Sequence, residues 1–178
     1  MDQIQIKDKA FSLFLSSEQI QKRVTEMAKE ISDDLKGKNP VFLCILNGSF
    51  MFASDLLRQV SFDPRVSFLK LASYQGTKTS GVVKQLIGLS ENITNEHLVI
   101  LEDIVDTGLT LEHIVNQLSG YKPASLKIVT LLLKAGSYNR NITIDYAGLN
   151  IPDVFIVGYG LDYEGYGRKY TNIYKLIT

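Results

Sequence analysis

A single cysteine, Cys44, serves a chain of 178 residues. One thiol builds neither a disulfide nor a cysteine-based zinc site, and its position inside the apolar run VFLCIL predicts a buried strand residue. That usage is consistent with a cytoplasmic address, where thiols stay reduced. Excess charge is absent as well: Lys plus Arg and Asp plus Glu both number 19. The balance argues against a general nucleic-acid binder, which carries a basic excess, and still allows a local basic site for a small anion. No stretch approaches the ~20 apolar residues of a membrane span, and MDQIQIKDKA at the start holds no signal-peptide hydrophobic segment. Neither a Walker motif nor a G-x-G-x-x-G fingerprint occurs, so ATPase and dinucleotide readings lose their usual support. Internal repeats, low-complexity tracts and linkers are missing too. One domain over residues 1–178 is therefore expected, long enough for a substantial core.

What is present reads as alternating strands and helices. Ser16-x-x-Gln19 resembles a capping box, and Ile20, Val24, Met27, Ile31 and Leu35 form an apolar stripe, which predicts a helix over 16–36. The continuously apolar run 41–46 predicts a strand covered on both faces. Asn47-Gly48-Ser49 then turns into a helix over FMFASDLLRQV. The pattern repeats with a strand at 97–101, a loop at 102–108 and a helix over LTLEHIVNQL, and further strands are expected at 125–133 and 154–159. This order implies an α/β fold with a mainly parallel sheet flanked by helices. Residues 72–85, polar and glycine-containing, read as a long mobile hairpin, and GYGLDYEGYGRKYTNIY is too rich in Gly and Tyr for a helix. His97 and His113 lie outside every segment with a chemical pattern and are read as structural.

The segment VILEDIVDTGLTL, residues 99–111, carries the most chemistry. In open α/β sheets ligands bind beyond the carboxyl ends of strands, where Glu102 and Asp103 fall. The passage Asp106-Thr107-Gly108-Leu109-Thr110 offers free N–H groups, two hydroxyls and the positive end of a helix dipole, which suit a phosphate. Asp106 alone could be a plain N-cap. Acids beside a phosphate cradle, however, call for sugar hydroxyls or a divalent cation, and together these features describe a ribose 5-phosphate site.

This segment resembles the thirteen-residue signature of the type I phosphoribosyltransferases, which use 5-phosphoribosyl 1-pyrophosphate. The Glu102-Asp103 pair is similar to the 6-oxopurine branch, the hypoxanthine–guanine phosphoribosyltransferases; other branches usually show Asp-Asp. ILNGSFMF resembles the family's pyrophosphate loop, with Asn47 before Gly48 where Lys or Arg usually stands. ASYQGT resembles the start of the mobile catalytic loop, with Ser73 and Tyr74 as the pair that closes over the reacting centre. LLLK ends in Lys134, matching the lysine that meets the purine O6. VFIVGYGLDYEGYGR matches the base-and-metal segment, with Phe155 stacking, Ile156 as a main-chain base contact, Asp162 at the metal and Arg168 at pyrophosphate.

The resemblance implies a phosphoribosyltransferase fold with a small hood and a hairpin lid. It implies Mg2+ held by Glu102, Asp103 and Asp162, with Asp106 as proton acceptor near the base and Thr107, Gly108, Leu109 and Thr110 on the 5-phosphate. The reaction it implies is purine salvage, from hypoxanthine or guanine to IMP or GMP. The partners it implies are small-molecule substrates and further copies of the chain in a homodimer or homotetramer, with no nucleic acid and no membrane. Two rivals stay in view: a non-catalytic nucleotide sensor, which would need a basic face or an added DNA-binding segment, and an enzyme of adenine or pyrimidine salvage, against which Glu102, Lys134 and Phe155 argue.

Overall fold

Ser16 opens the first helix in the computed structural model, which describes residues 3–74, 83–89 and 92–177, with the backbone alone at 72–74 and 83–87. The Ser16 hydroxyl accepts from the Gln19 amide, and the Gln19 side chain accepts from the Ser16 amide at 2.9 Å, so the capping box is complete. Ile20, Val24, Met27, Ile31 and Leu35 are all buried, as the helical spacing requires.

In chain order the elements are β1 (Gln3–Ile6), β2 (Lys9–Leu15), α1 (Ser17–Leu35), β3 (Val41–Leu46), α2 (Phe50–Leu57), β4 (Arg65–Tyr74) and β5 (Val83–Ile87). They continue with β6 (His97–Val105), α3 (Leu109–Ser119), β7 (Ser125–Leu133), β8 (Tyr146–Asn150), β9 (Ile156–Val157) and β10 (Ile173–Leu176). A six-stranded sheet has the order β5-β4-β3-β6-β7-β8, parallel except for the β4–β5 hairpin. Its two faces divide β3 residue by residue. Phe42 and Cys44 pack with α1 and α2, while Val41, Leu43 and Ile45 pack with α3. A strand buried on both sides needs apolar residues at every position, which is why VFLCIL does not alternate.

The chain leaves β3 through α2 towards β4 on one side and leaves β6 through α3 towards β7 on the other. Strand order therefore reverses between β3 and β6. The carboxyl ends of these neighbours open a crevice between diverging connections, the place where open α/β sheets bind ligands. A second sheet, β1-β2-β10-β9, is antiparallel and carries its own small core of Ile4, Ile6, Phe11, Val157 and Tyr174.

Three expectations need correction. The acids 102 and 103 are not in a loop, because β6 runs to Val105 and holds its pairing with β7 as far as Leu133. The strand expected at 154–159 shrinks to Ile156–Val157 and belongs to the small sheet, paired with β10. Glycines 158 and 160, both at positive φ, turn the backbone out of extended pairing there. The helix after β3 ends at Leu57, before the end of FMFASDLLRQV. Strands β1, β2, β8 and β10 were not anticipated. The hairpin was: β4 and β5 pair antiparallel as far as Tyr74 and Val83, and residues 75–82 lie outside the described residues.

Candidate active site

Two adjoining cavities lie at the β3–β6 crevice. The first, about 420 Å³, is lined by Leu46 at the end of β3, Gly48 just after it, Glu102 and Asp103 in β6, and the passage 106–111. The second, about 320 Å³, is lined by Lys134, Phe155, Ile156, Asp162 and Arg168. Gly48, Asp103, Ile104 and Asp106 face both. Leu71, near the end of β4, lines the first cavity; the side chains of Ser73 and Tyr74, two and three residues on, lie outside the described residues.

The passage from β6 to α3 is built around Gly108. It sits at φ 82° in the left-handed region as N-cap of α3, and a Cβ there would meet Tyr138 at 2.5 Å and Arg140 at 2.8 Å. Glycine thus serves both the turn and the close cover of the 138–140 loop. The amides of the first turn of α3 have no intrahelical acceptor, and that of Leu109 donates to the Thr107 hydroxyl at 3.4 Å; the passage 106–111 lines the first cavity. Asp106 does not cap this helix. Its carboxylate accepts instead from the Lys134 ammonium at 2.7 Å.

Burial dominates the acid pair. Glu102 is only 6% exposed, and desolvation, joined by the charge of Asp103, raises its pKa well above the ordinary carboxylate value. Burial also pushes Asp103 up to about 6, against the backbone hydrogen bonds and the Arg168 charge that favour ionisation. Gly48 makes room for this side chain, since a Cβ at 48 would lie 1.7 Å from the Asp103 carboxylate. Glu102 faces the first cavity and Asp103 both, so the two acids serve different parts of the site. Asn47 is exposed, follows a cis Leu46–Asn47 peptide, and is not among the cavity-lining residues.

Lys134 follows β7 directly. Its amide donates to Val105 at 2.9 Å, tying it to the end of β6, and its ammonium is shared between Asp106 and Asp153. Phe155 keeps 47% of its surface exposed and meets Tyr163 edge-on, leaving an aromatic face open to a planar ligand. Arg168 donates to the Gly160 carbonyl and pairs with Asp162 at 2.6 Å, while Asp162 also accepts from the Gly165 amide. Gly160 lies so close to Gly48 that a Cβ would come 2.1 Å from the Gly48 carbonyl. That contact joins the 158–168 segment to the loop after β3.

Sequence reasoning had no role for Asp153, Gly160, Tyr138 or Arg140. The Gly-Tyr-Gly spacing at 158–160 was the one local signal of a close backbone approach. The two histidines have local partners elsewhere: His97 meets Ser125 at the opposite end of β6, and His113 meets the Leu109 carbonyl.

The phosphoribosyl transferase domain family matches residues 14–164. Hypoxanthine-guanine-xanthine phosphoribosyltransferase of Tritrichomonas foetus is 36% identical over 97% of this chain and 93% of its own length. Hypoxanthine-guanine phosphoribosyltransferase of Aquifex aeolicus is 36% identical over 97% and 98%. The crystal structure of a hypoxanthine phosphoribosyltransferase from Staphylococcus aureus superposes with a TM-score of 0.85 at 38% identity, covering 93% of this chain and 91% of that one. With relatives similar along nearly its whole length, the chain belongs to the phosphoribosyl transferase domain family, on its hypoxanthine-guanine branch.

Proposed function

We propose that the chain catalyses purine salvage: transfer of the 5-phosphoribosyl group from 5-phosphoribosyl 1-pyrophosphate to N9 of hypoxanthine or guanine, giving IMP or GMP and pyrophosphate. The observation that carries this is the pair of cavities that share Asp103 and Asp106. A phosphate and ribose fit the first and a base fits the second, so the bond to be made lies between them.

In this reading Thr107, Gly108, Leu109 and Thr110 hold the 5-phosphate and thereby fix C1′. Glu102 and Asp103 bind the ribose hydroxyls. Phe155 stacks on the base, the Ile156 main chain reads its edge, and Lys134 donates to O6, for which adenine offers only an amino group. Asp106, beside that lysine, accepts the proton the base gives up. Gly48 and Arg168 receive pyrophosphate, with Asn47 at the loop's outer side, and Ser73 with Tyr74 closes over the centre so that water does not intercept an oxocarbenium-like carbon.

Among the described residues no three His, Cys, Asp or Glu side chains converge on one point. Mg2+ needs no such cage, taking one or two carboxylates with water and substrate phosphates. Asp103 and Asp162, which face one cavity, have that chemistry, and burial that strains Asp103 as an anion would be relieved by a cation. Asp103 and Asp162 would therefore hold Mg2+ together with substrate, with Glu102 on the ribose side. When bound, it would neutralise charge on the departing pyrophosphate.

A cytoplasmic address belongs to the same reading, supported by the one buried thiol. So does a homodimer or homotetramer: Phe50, Val66 and Phe68 leave apolar surface exposed. Nucleotide formation from hypoxanthine, guanine, xanthine, adenine and uracil, with and without Mg2+, tests the reaction. The expected products are IMP and GMP, formed only with Mg2+. Turnover confined to adenine or uracil, or an undiminished rate in chelator, would overturn it.

A further inference from the structure

Lys134 is held by more negative charge than contact with a base requires. Its ammonium donates to Asp106 Oδ2 at 2.7 Å and to Asp153 Oδ1 at 2.8 Å. An ammonium has three protons, so one is left to point into the cavity. The residue is 8% exposed, and this burial opposes its charge, yet the hydrogen bonds to the two carboxylates keep its pKa above the ordinary lysine value.

The two carboxylates arrive from different parts of the fold. Asp106 follows β6. Asp153 sits in the turn after β8, whose position is set by Ile151 donating to the Leu133 carbonyl and Val154 to the Pro152 carbonyl, both at 2.9 Å. Leu133 is the residue before Lys134, so the end of β7 registers lysine and Asp153 against each other. The same turn leads within two residues to Phe155. Asp153 itself does not line the cavity, and its side chain is 73% exposed.

We propose that Asp153 is a positioning residue for purine recognition, fixing Lys134 beside Asp106 and supplying the counter-charge that remains when Asp106 accepts a proton. This rests on the phosphoribosyl-transfer reading given above. Were Asp106 the sole partner, its protonation would leave a buried ammonium unpaired, and the lysine would lose its proton or swing toward water. Asp153 keeps the ion pair intact through the cycle, so that the donor aimed at O6 does not move at the moment of bond formation. Its side chain lies largely toward solvent and touches neither substrate.

The test uses the full chain with Asp153→Ala and Asp153→Asn, measuring hypoxanthine kcat/KM and the KM of the phosphoribosyl donor alongside the unaltered protein. Loss of one charge-assisted hydrogen bond predicts a fall of about tenfold in hypoxanthine kcat/KM for the alanine variant. A smaller fall is expected for asparagine, whose amide oxygen still accepts. Donor KM should stay within about twofold, since Asp153 reaches only the base side. Unchanged hypoxanthine kinetics in both variants, with normal turnover by the unaltered chain, would overturn the positioning role alone. An equal rise in both KM values would do the same, by showing general loosening. An unaltered chain that turns over no 6-oxopurine would overturn the reaction and this role together.

Discussion

At Gly48 the absence of one methyl group leaves room for the Asp103 carboxylate, which occupies the space a Cβ would take. Gly160 seats the 158–168 segment against Gly48 as well, so an added methyl group must displace the Asp103 carboxylate. Gly48→Ala is therefore expected to lower kcat/KM for the phosphoribosyl donor by about 100-fold, the order of loss that a misplaced reacting group causes. Circular dichroism should stay native, and steady-state kinetics check the loss. Asp106 shows how the same residue divides between two sequence meanings. Asp-Thr-Gly before a helix reads as a cap or a site; its contact with Lys134, 28 residues on and just past the end of β7, fixes the geometry, and that contact has no local signature.

At the scale of elements, local chemistry was readable where neighbours in sequence do the work. The α1 capping box involves residues three apart and was visible in Ser16 and Gln19. Ser16→Ala removes one half of it and is expected to cost about 1 kcal/mol, lowering Tm by about 2–4 °C with activity unchanged, as a thermal melt paired with an assay would show. β3 was equally plain, since only a doubly covered strand is apolar throughout. The end of β6 was not. Glu102 and Asp103 resemble loop residues by polarity, yet β7 continues beside them, with Glu102 opposite Thr130 and Val105 opposite Leu133. Ladder pairing with a distant segment outweighs local polarity there. Short strands such as β9 and β10 exist only because they pair with each other and with β2 around Phe11.

At the scale of the molecule, buried acids at a strand end couple the site to stability. Asp103 moves from an ordinary 3.8 to about 6 on folding, so the folded state holds its proton to higher pH than the unfolded chain. That contribution is present below the unfolded value and is lost as pH rises through about 6, on the order of 3 kcal/mol in all. Glu102 shifts the same way. In metal-free protein, Asp103→Asn should therefore unfold with a gain in stability relative to the parent at about pH 7.5 that is absent at about pH 4. Denaturant titrations at both values check this, and a constant difference between the two proteins would contradict the assignment.

By itself the sequence determined the class of fold, the helices and the long buried strands, because hydrophobic period, caps and turn residues act between near neighbours. It also determined the type of site, through the acids, Gly108 and hydroxyls crowded into one segment and its likeness to a known signature. Tertiary structure alone decided the strand order that reverses between β3 and β6 and opens the crevice. It decided that 156–157 pairs outside the main sheet and that Asp153 and Asp106 meet on one lysine. These are contacts between segments far apart in the chain, and their energies depend on packing and register that no local pattern encodes.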